Sequence, residues 1–230
     1  MELKDIFKME MFKNSNDRSY LIVIAILTGM AAAASLSSVM STGFMIKLPL
    51  IVFTILGLGI FSLLYPFHLL NTDYKNRVMS LIFASGVSRE KYYFVKIGAT
   101  ILTCFIAMFI ILFVPILFSF FYPNFFVGIM QGLIEKIEIL PAILGFLAYI
   151  ITLTTSVIIT KGKISGIFLF FGFLFLLSII QSTILFSVVV PLLEKGGNES
   201  LFYHFSSAFS IVQIVLFVLI SLFVLRRQDL

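Results

Sequence analysis

The chain has no tryptophan, one cysteine and few charges: Asp, Glu, Lys and Arg together make up 12% of its 230 residues. A soluble globular domain carries about 25% charged residues. Hydrophobic residues reach 60%, and the mean hydropathy is +1.14. A soluble fold of this size could not hide so much apolar side chain, because a sizeable part of any folded surface stays wet. Composition therefore excludes a soluble enzyme, a nucleic-acid-binding domain and a disordered chain. Lipid is the solvent for most of the molecule. The lone Cys104 has no partner for an internal disulfide, and its apolar run Ile101–Ile106 reads as packing around an inert thiol.

Catalytic patterns are missing as well. There is no His-Glu-x-x-His and no Gly-x-Ser-x-Gly, and His68 and His204 stand alone near span ends, too isolated for a metal site. Gly162-Lys163 is followed by Ile164 and has no glycine five residues before Gly162, so it fails the phosphate-binding-loop pattern. The chain reads as a non-enzyme with no metal or cofactor of its own.

What is present is a set of long apolar runs. Stretches free of Asp, Glu, Lys and Arg cover 19–46, 48–72, 97–134, 139–160, 164–193 and 200–225. A helical span needs roughly 20 apolar residues, and a charge at mid-bilayer costs about 2.5–3.5 kcal/mol on insertion scales. The runs predict an all-α membrane protein with six transmembrane helices, at about 19–42, 48–70, 93–121, 139–160, 164–190 and 205–225. Tyr122-Pro123-Asn124 ends the third, and Phe125–Glu138 becomes a wet or interfacial loop. Pro141 suits the first turn of the fourth helix. Pro66 and Pro115 are expected to kink the second and third.

Basic residues set the orientation. Thirteen of them fall in the N-terminal tail, the second and fourth loops and the C-terminus; Lys47, Lys136 and Lys195 are the three on the other side. The positive-inside rule then puts both termini in the cytoplasm. Residues 1–18 are too charged for the core of a cleavable signal. Leu3, Phe7 and Met11 recur every four residues, which predicts a cytoplasmic amphipathic interfacial helix over 1–18, ahead of a transmembrane domain over 19–230.

No Asp, Glu, Lys or Arg is placed at mid-membrane, which argues against ion-coupled transport. Gln131 and Gln181 are the remaining amides. Gln181 lies mid-helix and needs a hydrogen-bond partner, read first as a helix–helix contact. In the first span Gly29 and Ala33 are four apart, and small residues let helix backbones approach. This face packs against another membrane subunit or within its own bundle; the sequence leaves both open.

The second loop, Asn71–Lys96, is the informative segment. Val78, Leu81, Ile82 and Ser85 follow helical spacing after a polar group of Asp73, Lys75, Asn76 and Arg77. Gly86 suits a left-handed stop, Ser88 can cap a new helix, and Glu90 sits in that helix's first turn. The loop thus predicts a short cytoplasmic helix, a glycine turn and a helix running into the third span. On spacing alone it is either a docking element for a soluble partner or a set of positive-inside anchors.

An acidic residue after the second span, basic residues, a hydrophobic helix, then Gly86-Val-Ser-Arg89 and Lys96 resemble the cytoplasmic loop of ABC-2 type transporter permeases. Asn76-Arg77 stands where that family often has Gly-Thr, and Gly86 stands where proline is common. The resemblance is greatest to the short permeases of bacterial peptide export and bacteriocin self-protection. It implies a half-transporter in a bacterial cytoplasmic membrane that pairs with a second copy of itself or a related permease and with ABC ATPase subunits, which carry the ATP and Mg. The segment at about Tyr74–Ala84 would be the coupling helix, with Asp73, Tyr74, Lys75, Arg77, Val78, Leu81, Ile82, Gly86 and Arg89 at the ATPase contact, and the cargo an amphipathic or antimicrobial peptide. The alternative is an integral membrane immunity or scaffold protein that works without an ATPase.

Overall fold

The computed structural model describes residues 3–40, 44–76, 78–121, 139–194 and 200–228, and every element among them is helical. In chain order these are α1 (Leu3–Ser15), α2 (Arg18–Met40), α3 (Phe44–Lys75), α4 (Val78–Ala84), α5 (Arg89–Phe121), α6 (Ile139–Ile159), α7 (Ser165–Ile184), a π-helical turn (Leu185–Val189), α8 (Val190–Glu194) and α9 (Ser200–Arg227). Among the described residues four stretches are long and apolar enough to cross a bilayer: Arg89–Ile111, Leu140–Ile159, Ser165–Leu193 and Ser200–Arg227. The chain is a multi-pass membrane protein. The first two expected spans fall on α2 and α3; Arg18–Ala33 of α2 is apolar but shorter. The expected break at Tyr122-Pro123-Asn124 and the loop Phe125–Glu138, with Gln131, lie outside the described residues.

One detail of the expected layout is corrected. The predicted helix over Tyr74–Ala84 is two pieces: α3 runs on to Lys75, so Tyr74 and Lys75 are its last residues, and the short helix starts at Val78. Nothing between Leu70 and Lys75 breaks a helix, and Asp73 is anchored there by a hydrogen bond from Tyr92. The inward stripe of α1 is Ile6, Glu10 and Asn14, all buried, while Phe7 and Met11 are half-buried. An apolar count misses it because two of its three members are polar.

The chain divides into two compact units. The first comprises Met1–Tyr65 and Phe94–Ile137. Here α5 buries Lys96, Ala99, Thr100, Thr103, Cys104, Ala107 and Ile111, one face of a 3.6-residue repeat. Tyr20 and Phe61 pack their rings on Tyr65, with centroids 4.7 and 5.3 Å away. The Tyr20 hydroxyl donates to the Thr103 carbonyl at 3.1 Å and the Tyr65 hydroxyl to that of Asn14 at 3.4 Å. Asn14 Nδ2 donates to Thr103 Oγ1 at 3.1 Å, and Lys96 pairs with Glu10.

The second unit comprises Pro66–Tyr93 and Glu138–Leu230. Its centre is α6, where every residue from Ile150 to Ile158 is buried. Thr152, Thr154, Thr155 and Ser156 return their hydroxyl protons to carbonyls four residues earlier, which satisfies them inside an apolar helix. α6 packs chiefly on α9, then on α7. Thr155 Oγ1 meets Ser221 Oγ at 2.7 Å, and Gln213 Nε2 donates to Thr152 Oγ1 at 2.9 Å. By contrast α7 and the π-helical turn after it bury little: Phe168 and Phe175 on α7 and Phe186 in the turn are strongly exposed.

Candidate functional site

The segment that holds most of the expected contact residues, 71–93, folds into the second unit and converges with the 158–163 turn and the end of α9. Its local geometry follows from its sequence. α4 ends at Ala84, and Gly86 stops it with φ +86°, its N–H bonded to the Phe83 carbonyl at 3.0 Å. Ser88 Oγ then accepts the Lys91 N–H at 3.3 Å and opens α5, with Glu90 in the first turn.

α4 is seated by Met79 and Ile82, both buried, and by Phe83. The Phe83 ring meets Tyr92 edge-on at 5.6 Å, and the Arg89 guanidinium lies 5.7 Å from the Phe83 centroid. Tyr92 is fixed in turn by donating its hydroxyl to Asp73 Oδ2 at 2.8 Å.

Arg89 closes the C-terminal end of α9. Its Nη1 donates to the carbonyls of Leu225 at 2.6 Å, Arg226 at 3.2 Å and Gln228 at 2.6 Å. The last carbonyls of a helix lack intrahelical donors and carry the negative end of its dipole. A guanidinium there supplies both protons and positive charge. Glu90, beside it, pairs with Arg226 through Nε at 3.0 Å and through Nη2.

Gln228, which sequence reasoning missed, links the remaining parts. Its Nε2 donates to the Ile158 carbonyl at 2.6 Å, and its Oε1 accepts the Tyr74 hydroxyl at 3.2 Å. Burial pushes the Tyr74 hydroxyl above its ordinary range, so it stays protonated and keeps donating. The 158–163 turn is a tight C-terminal motif: the Gly162 N–H bonds to the Val157 carbonyl at 2.9 Å and that of Lys161 to Ile158 at 3.2 Å. Gly162 has φ +73°, and a Cβ there would stand 2.9 Å from Cβ of Tyr74. The only sequence sign of Gln228 is a polar residue directly after the last span.

No family model, curated protein or solved structure matches the chain.

The expected contact residues thus separate by position. Asp73 and Ile82 are buried, Tyr74 and Arg89 bond toward the end of α9, and Val78 is half-buried. Lys75, Leu81 and Gly86 are exposed, Leu81 at 69%. Arg77 lies outside the described residues. Elsewhere, Ala33 is exposed and a Cβ on Gly29 would meet nothing within 4 Å. His68 and His204 are exposed, and Gln181 is half-buried. Among the described residues no three His, Cys, Asp or Glu side chains come together in a way that could hold a metal ion. α4 touches Arg89 through Phe83, and Arg89 holds the end of α9.

Proposed function

We propose that this chain is the membrane permease subunit of an ATP-binding-cassette exporter, with six spans and both termini in the cytoplasm, α1 lying at the cytoplasmic surface and α4 serving as the coupling helix. ATP is hydrolysed on a separate subunit, and the cargo is an amphipathic or antimicrobial peptide moved out of the cell or membrane. The observation that carries the reading is the continuous path from exposed Leu81 on α4, through Phe83 and Arg89, to the last carbonyls of α9. A force applied to α4 by a soluble partner reaches a bilayer-length helix through packed, hydrogen-bonded groups, as coupling between distant elements requires.

Lys75, Leu81 and Gly86 are the part of the expected contact set that a partner can touch, with Arg77 following in sequence. Asp73, Tyr74 and Arg89 act one layer behind, by holding α4 and α9. The open face at Gly29 and Ala33 supports a second permease copy there, since close helix approach in lipid depends on small residues.

The test is co-expression with a separately encoded ABC ATPase. Charge reversal at Lys75 and Arg77 lowers co-purification and ATP turnover. Unchanged co-purification and turnover would remove the coupling assignment, and full cellular function without any ATPase would favour the immunity or scaffold reading.

A further inference from the structure

Leu216, Leu219, Ile220, Leu222, Phe223 and Arg226 of α9 line an open groove of about 470 Å³. It follows one stripe of the helix from its middle to its basic end. Ten residues of helix rise about 15 Å, half of the roughly 30 Å hydrocarbon core and so the depth of one leaflet. Its apolar wall is turned outward, with Leu219 61% and Phe223 55% exposed.

The groove ends on charge. Arg226 is exposed and holds Glu90 through Nε and Nη2. The Arg227 guanidinium lies 4.2 Å from the centroid of the Phe223 ring, the last apolar side chain before it. Among the described residues two arginines stand against one carboxylate, a positive end on an apolar trough, and guanidinium is the side chain best shaped to take a phosphate by two parallel hydrogen bonds.

We propose that this groove holds one anionic phospholipid, its acyl chain along Leu216, Leu219 and Phe223 and its phosphate at Arg226 and Arg227. Both ends of the groove match that ligand: acyl-chain depth below, phosphate chemistry above. A second copy of the chain fits less well. In a bilayer both copies have the same orientation, so a two-fold contact on this stripe would set Arg226 and Arg227 against their own images. The site depends only on the chain's being in a membrane and is independent of the exporter reading.

The absence of tryptophan makes a direct test available, because Leu219→Trp in the full chain gives a single reporter on an outward position. It is reconstituted in phosphatidylcholine vesicles with a minority of brominated phosphatidylglycerol, and separately with the same mole fraction of brominated phosphatidylcholine. The expected result is quenching by the glycerol lipid as if its local fraction were on the order of fivefold above bulk, about the effect of one net basic residue. Arg226→Gln with Arg227→Gln removes the excess, and inorganic phosphate in the buffer leaves it intact. A Phe175→Trp reporter on exposed α7 shows no preference. Equal quenching by the two lipids at Leu219→Trp with both arginines present overturns the proposal, whatever the variants do. So does an equal excess at Phe175→Trp, which would mean a general anionic annulus, and so does loss of the excess to free phosphate, which would mean an anion site without a lipid.

Discussion

The Lys96 ammonium lies 2.6 Å from Oε2 of Glu10, with the two side chains 2% and 0% exposed. The contact joins α1 to the first turns of α5. Each ion makes the other tolerable away from water, and removing one partner of such a pair costs about 3–5 kcal/mol while removing both costs far less. Lys96→Met alone is therefore expected to lower the unfolding midpoint of the purified chain sharply, and Lys96→Met with Glu10→Met to recover most of the loss. Additive losses in the double variant, measured by thermal unfolding in detergent, would show that the two charges are not coupled.

Arg89 should be irreplaceable by lysine. Its Nη1 reaches three carbonyls at the end of α9 while the guanidinium lies over the Phe83 ring, and a lysine, one bond shorter and without a flat cation, does not hold both. Hydrogen exchange of the amides at 224–228 is the sensitive readout, since releasing a helix C-terminus lets its last turn open. Arg89→Ala and Arg89→Lys both accelerate exchange there. Lys91→Ala, on an exposed neighbour, leaves it unchanged.

Two glycines with positive φ predict different costs. Gly86 has φ +86° and open space where a methyl group would stand, so Gly86→Ala carries only conformational strain, about 1 kcal/mol. Gly162 has φ +73° and would drive its Cβ to 2.9 Å from that of Tyr74, adding a clash worth a further 1–3 kcal/mol, roughly. Denaturant or thermal unfolding of the two variants side by side ranks them. Equal losses would mean that the turn relaxes away from Tyr74.

Cys104 offers a probe of the first unit. It is 1% exposed on α5. A thiol so placed is reached only when its surroundings open, so maleimide labelling of the native chain is expected to be slow and to track unfolding on heating. Rapid labelling under native conditions would contradict the packing of α5.

How much of this is legible in the sequence depends on what each residue answers to. Apolar run length responds to the bilayer alone, so Leu140–Ile159, Ser165–Leu193 and Ser200–Arg227 can be read from composition and charge. The stop at Gly86 and the cap at Ser88 are local, fixed by residues within one turn, and are readable for that reason. Glu10 is not, because a carboxylate on a short helix reads as a solvated face until Lys96, 86 residues away, is seen opposite it. Arg89 and Gln228 hide in the same way: their partners on α9 and α6 are distant in sequence, and hydrogen bonds to backbone carbonyls leave no mark on composition.

The same separation of near from far decides what α4 does. Ile82 and Leu81 are adjacent in sequence and alike in chemistry, yet Ile82 is 8% exposed and Leu81 69%. Burial of a large aliphatic side chain is worth about 1.5–3 kcal/mol, whereas an exposed one contributes little to folding. Ile82→Ser is thus expected to lower stability by a few kcal/mol, and Leu81→Ser to change it by less than about 0.5 kcal/mol. On the coupling reading, exposed Leu81 is a side chain that the ATPase covers, so Leu81→Ser is the variant that separates folding from coupling. It should leave the unfolding midpoint in place and weaken ATPase co-purification. A Leu81→Ser chain that holds its ATPase as tightly as the parent would take Leu81 out of the interface and leave α4 as a structural brace for Arg89 and α9.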